Sequence, residues 1–128
     1  MALPLRHRLK GQRVFDCLYQ RGRRHHGSAM VLRWLEAVPD LLPPQQAGHA
    51  PSPWRCGVVI SGKVHKRAVQ RNRLRRLLHN HVMAVIEPAE AGRSHWLLIS
   101  LKPGSAERSP ADLLGECSHL LQQAGFTP

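Results

Sequence analysis

Residues 66–86, KRAVQRNRLRRLLHNHVMAVI, form the longest helical pattern in this chain of 128 residues. Apolar residues recur there every three or four positions, which is the spacing of one face of an α-helix. The apolar stripe consists of Leu74, Leu77, Leu78, Val82 and Val85. Pro88 and Gly92 follow the pattern and are expected to close the helix. A helix with one apolar stripe needs a sheet or other helices to cover it.

The first half of this helix is crowded with positive charge. Six of the eleven residues 66–76 are Lys or Arg, and no acidic residue occurs between residues 41 and 86. On a helical wheel, Arg73 and Arg76 lie away from the apolar stripe, whereas Arg71, Arg75 and His79 follow one edge of it. Neighbouring cations repel one another, and an external anion would relieve that repulsion. The helix is therefore predicted to bind a polyanion.

Shorter elements flank the helix on both sides. The predicted elements, in chain order, are a helix at 11–20, strands at 29–35 and 54–60, the helix at 66–86, a strand at 96–101 and a helix at 111–123. Residues 23–26 are expected to form a charged connection and residues 38–53 a proline-rich loop, although a further strand could hide within 22–53. This order predicts an α+β sandwich with a small sheet, folded as a single domain over residues 1–128.

Composition points to the same class of partner. The formal net charge is +11 with the histidines neutral, and only four of the nineteen basic residues are lysines. Arg suits phosphate because its planar fork donates two hydrogen bonds at once, so nucleic acid is the expected partner. Three widely spaced cysteines, Cys17, Cys56 and Cys117, predict free, buried or half-buried thiols in a reducing compartment. The sequence lacks an apolar run of signal or membrane-spanning length, so the cytoplasm is expected.

Two catalytic interpretations fail on residue type or spacing. Residues 57–64, GVVISGKV, nearly match a phosphate-binding loop, but Val64 stands where Ser or Thr would hold magnesium. Nine histidines suggest a nuclease, yet His79 and His81 are two apart on a helix and point in different directions. The acidic residues are scattered and indicate no two-metal cluster. We therefore predict no catalytic residue and no metal ligand on this chain.

The run at 66–76, KRAVQRNRLRR, resembles the basic RNR helix of the bacterial ribonuclease P protein family. Segments 8–19, 57–61 and 96–103 are similar to the family's first helix, to the strand before the RNR helix, and to the strand and turn after it. The resemblance implies a two-layer α/β sandwich like domain 2 of ribosomal protein S5, with a left-handed βαβ crossover. It also implies an endonuclease whose catalytic RNA removes the 5′ leader of precursor tRNA, using magnesium ions held mainly by RNA.

The resemblance also implies roles for individual residues. RNR-helix residues would contact the catalytic RNA, and we add neighbouring cations to give Lys63, Lys66, Arg67, Arg71, Asn72, Arg73 and Arg76. A cleft between the first helix, the sheet and the RNR helix would hold the leader through Phe15, Tyr19, Arg33, Arg75 and His79. Arg33 replaces an aromatic residue common in the family, so a phosphate contact is expected there instead of stacking. Gly62-Lys63 replaces a common pair of lysines, which weakens that contact.

Alternatives remain open on the sequence alone. Phe15 and Tyr19 share one helical face and either stack on unpaired bases or fill the core. The chain could be a general RNA-binding module such as a ribosomal protein, or a DNA reader with Arg73 in a major groove. A peripheral membrane protein would need the stripe of Leu74 and Leu78 to leave the core, so no membrane partner is expected. The expected partners are ribonuclease P RNA and precursor tRNA, with no obligate protein partner.

Overall fold

The computed structural model describes residues 7–38, 41, 54–89 and 95–126. Its elements, in chain order, are helix α1 (Gln12–Arg21), strands β1 (Arg23–His26), β2 (Met30–Glu36) and β3 (Arg55–Val59), helix α2 (Ala68–Ala89), strand β4 (His95–Leu101), a short 3-10 helix (Ser105–Glu107) and helix α3 (Pro110–Gln123). Helix α3 starts as its sequence predicts, because the Ser109 hydroxyl accepts the Asp112 N–H at 3.1 Å and Pro110 fills the first turn.

The four strands form one mixed sheet in the order β1-β2-β4-β3. Strand β2 pairs antiparallel with β4 over its whole length, from Met30 opposite Leu101 to Glu36 opposite His95. Strand β1 pairs antiparallel with β2, whereas β3 pairs parallel with β4. Helix α2 is therefore the crossover of a βαβ unit. The left-handed sense of that crossover, the likeness to ribosomal protein S5 and the single domain over 1–128 stay predictions.

One sheet face, here called the closed face, is covered by α2 and α3. Alternate residues of the strands point into it, and the fully buried ones include Met30, Leu32, Leu97 and Ile99. Helix α2 contributes its buried stripe to the same core, and α3 adds four buried side chains. These helical residues are Leu78, Val82, Ile86, Leu113, Cys117, Leu120 and Leu121.

The opposite face, here called the open face, is covered in the described part of the chain by α1 and the segment before it, with Ala37 and Leu41 at its margin. Its core is smaller, consisting of Leu9, Val14, Leu18, Trp96 and Leu98. The segment before α1 runs beside β3, because the Leu9 N–H donates to the Cys56 carbonyl at 3.3 Å. Gly57 allows this close approach, since an added Cβ would lie 3.3 Å from the Leu9 side chain and would need it to shift slightly. Beside this core the face also carries polar and charged side chains, including Arg33 and Ser100.

The turn between β1 and β2 is fastened to α3 by one carboxylate. Glu116 accepts hydrogen bonds from the Ser28 N–H at 3.0 Å, the Ser28 hydroxyl at 2.6 Å and the Ala29 N–H at 2.9 Å. A Cβ on Gly27 would lie 2.7 Å from that carboxylate, so a larger residue there would displace Glu116 from these hydrogen bonds. The Lys102 ammonium donates to the Gly27 carbonyl at 2.7 Å from the far side of the turn.

Most predicted elements are confirmed to within one or two residues, and one is wrong. The charged connection at 23–26 is strand β1, because these residues pair with β2 although they lack an apolar alternation. Helix α2 begins at Ala68, so Lys66 and Arg67 precede it. The proline-rich loop at 38–53, apart from residues 38 and 41, and the expected stop at Gly92 lie outside the described residues.

The three cysteines are free, as expected. Cys17 is half-buried, and Cys56 and Cys117 are buried in the core of the closed face. Burial, with a smaller contribution from Glu116, raises the pKa of the Cys117 thiol to about 12. Burial, with a smaller contribution from Cys117, raises the pKa of Cys56 still further. Neither thiol forms a reactive thiolate at neutral pH.

Candidate nucleic-acid interface

The turn before α2 carries exposed cationic side chains, and hydrogen bonds within the turn hold its backbone. The Val64 N–H donates to the Ser61 carbonyl at 3.0 Å, and the Lys63 N–H donates to the Ser61 hydroxyl at 3.2 Å. Residues 62–67 line a concave surface, with the side chains of Lys63, Lys66 and Arg67 exposed. A hydrogen-bonded backbone that carries exposed cationic side chains suits a phosphate-bearing partner.

Arg71 joins this turn to the helix. One guanidinium nitrogen, Nη1, donates to the His65 carbonyl at 2.9 Å and to the Lys66 carbonyl at 2.8 Å. The residue is half-buried, so part of its donor set serves the fold. Arg71 therefore supports the cationic turn as well as adding to its charge.

Arg75 is similarly fastened, and it holds Asn72 in place. Its Nη1 donates to the Asn72 side-chain oxygen at 2.6 Å, and its Nε lies 3.4 Å from the Val58 carbonyl of β3. Asn72 itself is exposed. This arrangement leaves the Asn72 amide group at the surface with its oxygen already engaged, so its N–H groups are the ones available to RNA.

Arg73 and Arg76 are different from Arg71 and Arg75. Both are exposed, and neither forms a hydrogen bond or an ion pair with the part of the chain that the structure describes. The helical wheel predicts this difference, since it places both residues away from the apolar stripe. Their full donor sets are free for phosphate.

His79 lies one turn further along α2, and it is buried to all but 8% of its surface. Burial, with the charges of Arg75 and Arg8, lowers the pKa of His79 to about 4. The imidazole is therefore neutral at pH 7. Its buried Nε2 has no hydrogen-bond partner among the described residues. This nitrogen is shielded from solvent, so it lies beneath the surface that would face RNA.

Tyr19 and Arg33 meet on the open face. The Arg33 guanidinium carbon lies 4.8 Å from the centre of the Tyr19 ring, and Arg33 Nη1 is 3.4 Å from the Ser100 hydroxyl. Tyr19 is 45% exposed, whereas Phe15 is half-buried and packs against the small core. Tyr19 thus offers a surface ring backed by a cation, and Phe15 mainly supports it.

The predicted leader residues fall into two contacting groups. Phe15, Tyr19 and Arg33 share the open face, and Arg75 and His79 lie together on α2. No ring contact or hydrogen bond joins the two groups within the described ranges. Sequence reasoning missed Arg8, which lowers the pKa of His79. Its placement depends on the pairing of residue 8 with Cys56 of β3, which no local pattern signals.

Within the described residues, no three His, Cys, Asp or Glu side chains gather closely enough to hold a metal ion. In the same part of the chain, no helix has both the length and the apolar character needed to cross a membrane.

Comparisons with known proteins agree on one family. The family model described as Ribonuclease P matches residues 3–125. The ribonuclease P protein components of Parasynechococcus marenigrum (strain WH8102) and Prochlorococcus marinus (strain MIT 9313) are each 50% identical over 126 residues, covering 98% of both chains.

Solved structures show the same fold at much lower identity. The Staphylococcus aureus RNase P protein aligns with a TM-score of 0.75 at 16% identity, covering 95% of this chain and 98% of that one. The Thermotoga maritima RNase P protein aligns with a TM-score of 0.66 at 15% identity, covering 91% of this chain and 96% of that one. With the family model matching nearly the whole sequence, this chain belongs to the ribonuclease P protein family.

Proposed function

We propose that this chain is the protein subunit of ribonuclease P and that it binds two RNAs at two surfaces. The first surface binds the catalytic RNA, and the second binds the 5′ leader of precursor tRNA. The proposed catalytic-RNA surface consists of Lys63, Lys66, Arg67, Arg71, Asn72, Arg73 and Arg76. The proposed leader surface consists of Phe15, Tyr19, Arg33, Arg75 and His79.

The observation that carries the proposal is the set of unpaired cations around the start of α2. Arg73 and Arg76 are exposed without a partner in the described part of the chain, next to a turn that exposes Lys63, Lys66 and Arg67. Concentrated positive charge of this kind lowers the stability of an isolated helix. Binding to RNA phosphates offsets that cost and releases counterions.

The leader surface has a different chemistry. A single strand exposes the faces of its bases, and an exposed aromatic ring stacks on them whatever their sequence. Tyr19, backed by Arg33 at 4.8 Å, fits that task. Arg75 would add a charged hydrogen-bonding group on the α2 side, next to the buried, neutral His79. Duplex RNA lacks free base faces, so this surface favours the unpaired leader over the tRNA body.

The residues of both surfaces do not fit a magnesium site. Their charged members are arginines and lysines, which repel a divalent cation, and magnesium prefers carboxylate and phosphate oxygens. We therefore assign magnesium to the catalytic RNA and the substrate. Precursor tRNA is processed in the bacterial cytoplasm, so the proposal places the protein there.

The decisive experiment is cleavage of a precursor tRNA by the cognate ribonuclease P RNA at low magnesium, with and without this protein. We expect strong stimulation and release of the leader at the mature 5′ end. Binding to RNA without stimulation would favour a general RNA-binding module instead.

The leader surface is tested in the same assay with Tyr19→Ala. Losing one stacked base should weaken the preference for precursor over mature tRNA by about 1–3 kcal/mol, or roughly 5- to 150-fold. The conservative variant Tyr19→Phe keeps the ring and should retain the preference. Circular dichroism should show both variants folded, because Tyr19 is largely exposed.

A further inference from the structure

Strand β1 is a basic edge strand that the proposed function does not use. Its four residues are Arg23, Arg24, His25 and His26, and three of them are exposed. Among the strands that the structure describes, β1 pairs with β2 alone and forms one outer border of the sheet. Edge strands commonly carry charge to prevent pairing with another sheet, and a charge on either face of the strand serves that role. The side chains on the two faces of β1, however, have different surroundings.

The register of β1 against β2 sorts its four side chains between the two faces. Arg24 is opposite Arg33, so it lies on the open face beside the proposed leader surface. Arg23 is opposite Trp34 on the other face, where its guanidinium carbon lies 5.2 Å from the Trp34 ring centre. His25 lies on that face too and accepts the Trp34 indole N–H at 3.2 Å.

Arg24 and Arg33 form a like-charged pair directly across two strands. Such pairs have Cβ atoms about 5 Å apart and destabilise the sheet. Arg24 makes no hydrogen bond, ion pair or ring contact with the described residues. Glu116, the acid that fastens the adjoining turn, is already engaged by Ser28 and Ala29. An anion from another molecule would relieve this repulsion.

We propose that Arg24 binds a phosphate of the 5′ leader farther from the cleavage site than the nucleotide stacked on Tyr19. This inference rests on the proposed function. Strand β1 lies three strand positions from β3, or about 14 Å at the usual spacing, and α2 packs against β3. RNA that reaches β1 is thus far from the surface assigned to the catalytic RNA. An unpaired leader crossing the open face from Tyr19 reaches Arg24 next.

The test compares precursor tRNAs whose leaders are shortened stepwise, with holoenzyme assembled from the cognate RNA. Affinity is measured as the half-saturating holoenzyme concentration in single-turnover cleavage. Loss of one phosphate contact to a single strand should weaken binding about fivefold at about 0.1 M salt, since the log-log slope falls by about 0.7. We expect Arg24→Ala and Arg24→Gln to show this loss with long leaders and none with leaders too short to reach β1.

Arg23→Ala is the matched control, because it removes the same charge from the next residue on the other face. It should bind long and short leaders like the wild-type protein. Arg24→Lys should keep most of the affinity. Removing the like-charged pair should leave the unfolding midpoint of Arg24→Ala equal to or above that of the wild type.

Three outcomes would overturn the proposal. If Arg24→Ala lowers the affinity equally for all leader lengths, Arg24 contacts the catalytic RNA or the tRNA body and not the leader. An equal loss of affinity in Arg23→Ala would mean that only the net charge of the protein matters. Unchanged affinity of Arg24→Ala at every leader length would mean that Arg24 does not contact the leader. Failure of the proposed function itself looks different, because wild-type holoenzyme would then show no dependence on the leader.

Discussion

The two faces of the sheet differ in how they are covered and in the size of their cores. The closed face lies under two helices and holds most of the fully buried large side chains, including Leu78 and Leu97. The open face lies under the ten residues of α1 and the segment before it, with five buried residues in its core. Beside that small core are Tyr19, Arg33 and Arg24. Stability is therefore expected to reside on the closed face, and RNA binding on the open face and around the start of α2.

The largest effect should come from a cavity in the closed face. Leu78 is fully buried between α2 and the sheet, so Leu78→Ala should lower the free energy of unfolding by about 2–5 kcal/mol. Tyr19→Ala on the open face should change it by less than about 0.5 kcal/mol. Urea denaturation of both variants measures the difference. Similar losses in the two variants would contradict the division between the faces.

Glu116 should give the next largest effect, because it fastens the β1–β2 turn to α3. Burial raises the pKa of Glu116, but hydrogen bonds from Ser28 and Ala29 and the charge of Arg108 outweigh it, so the net pKa lies below the ordinary value. Glu116→Gln should lower the free energy of unfolding by about 1–3 kcal/mol at pH 7. The exposed Glu107→Gln removes the same charge and should cost little.

The pH dependence of this effect follows from the lowered pKa. Because the folded carboxyl holds its proton less tightly than the unfolded one, its contribution is present above the unfolded pKa and is lost as the pH falls through the folded pKa. The difference between wild type and Glu116→Gln should therefore shrink in acid below about pH 4.5. If the difference in the free energy of unfolding between the two proteins stays constant down to the acid transition, the charge of the Glu116 carboxylate does not contribute to stability.

His79 lies where α2 meets the segment beside β3, and it should add a second pH dependence. Its folded pKa of about 4 is below the ordinary 6.5, so the unfolded state binds more protons between those values. Stability should therefore fall by up to about 3 kcal/mol as the pH drops through that window, because burial, the main cause of the lowered pKa, opposes protonation of the folded-state imidazole. Denaturation of His79→Gln should lack this loss.

A direct measurement is the titration of the His79 ring by NMR, with the exposed His119→Gln as the control variant for stability. A midpoint near 6.5 for His79 would contradict the buried, neutral imidazole. A midpoint that rises when RNA binds would show that a phosphate lies close to the ring, since an anion favours the charged form.

The sequence predicts α2 and its exposed cations because both depend on local periodicity. The stripe of Leu78 and Val82 is buried, and Arg73 and Arg76 are exposed, as the wheel places them. Strand β1 has no such signal: four polar residues become a strand only because β2 offers them a hydrogen-bonding edge. Its face assignment depends on the register, which is set by tertiary pairing.

The same limit applies to the site. The wheel groups Arg71, Arg75 and His79 on one edge of the stripe, and all three are half-buried or buried there. It does not show that Arg71 is bonded to the carbonyls of His65 and Lys66, because the turn before the helix has no periodic pattern. Nor does it reveal Arg8 near His79, since 71 residues of chain separate them.

The smallest effect separates two arginines of α2 that lie two positions apart. Arg73 is exposed without a partner in the described chain, whereas Arg71 donates to two carbonyls of the preceding turn. Arg73→Ala should lower the log-log salt slope for binding the catalytic RNA by up to about one unit and leave stability unchanged. Arg71→Ala should lower the slope and also reduce the free energy of unfolding by about 1 kcal/mol, because one part-buried and one exposed hydrogen bond are lost. Filter binding over a range of salt concentrations, with urea denaturation of each variant, measures both quantities.

Unchanged salt slopes in both variants would mean that this surface does not bind the catalytic RNA. A stability loss in Arg73→Ala would instead mean that the exposed side of α2 contributes to the fold, and the division between holding the structure and binding RNA would not extend to this helix.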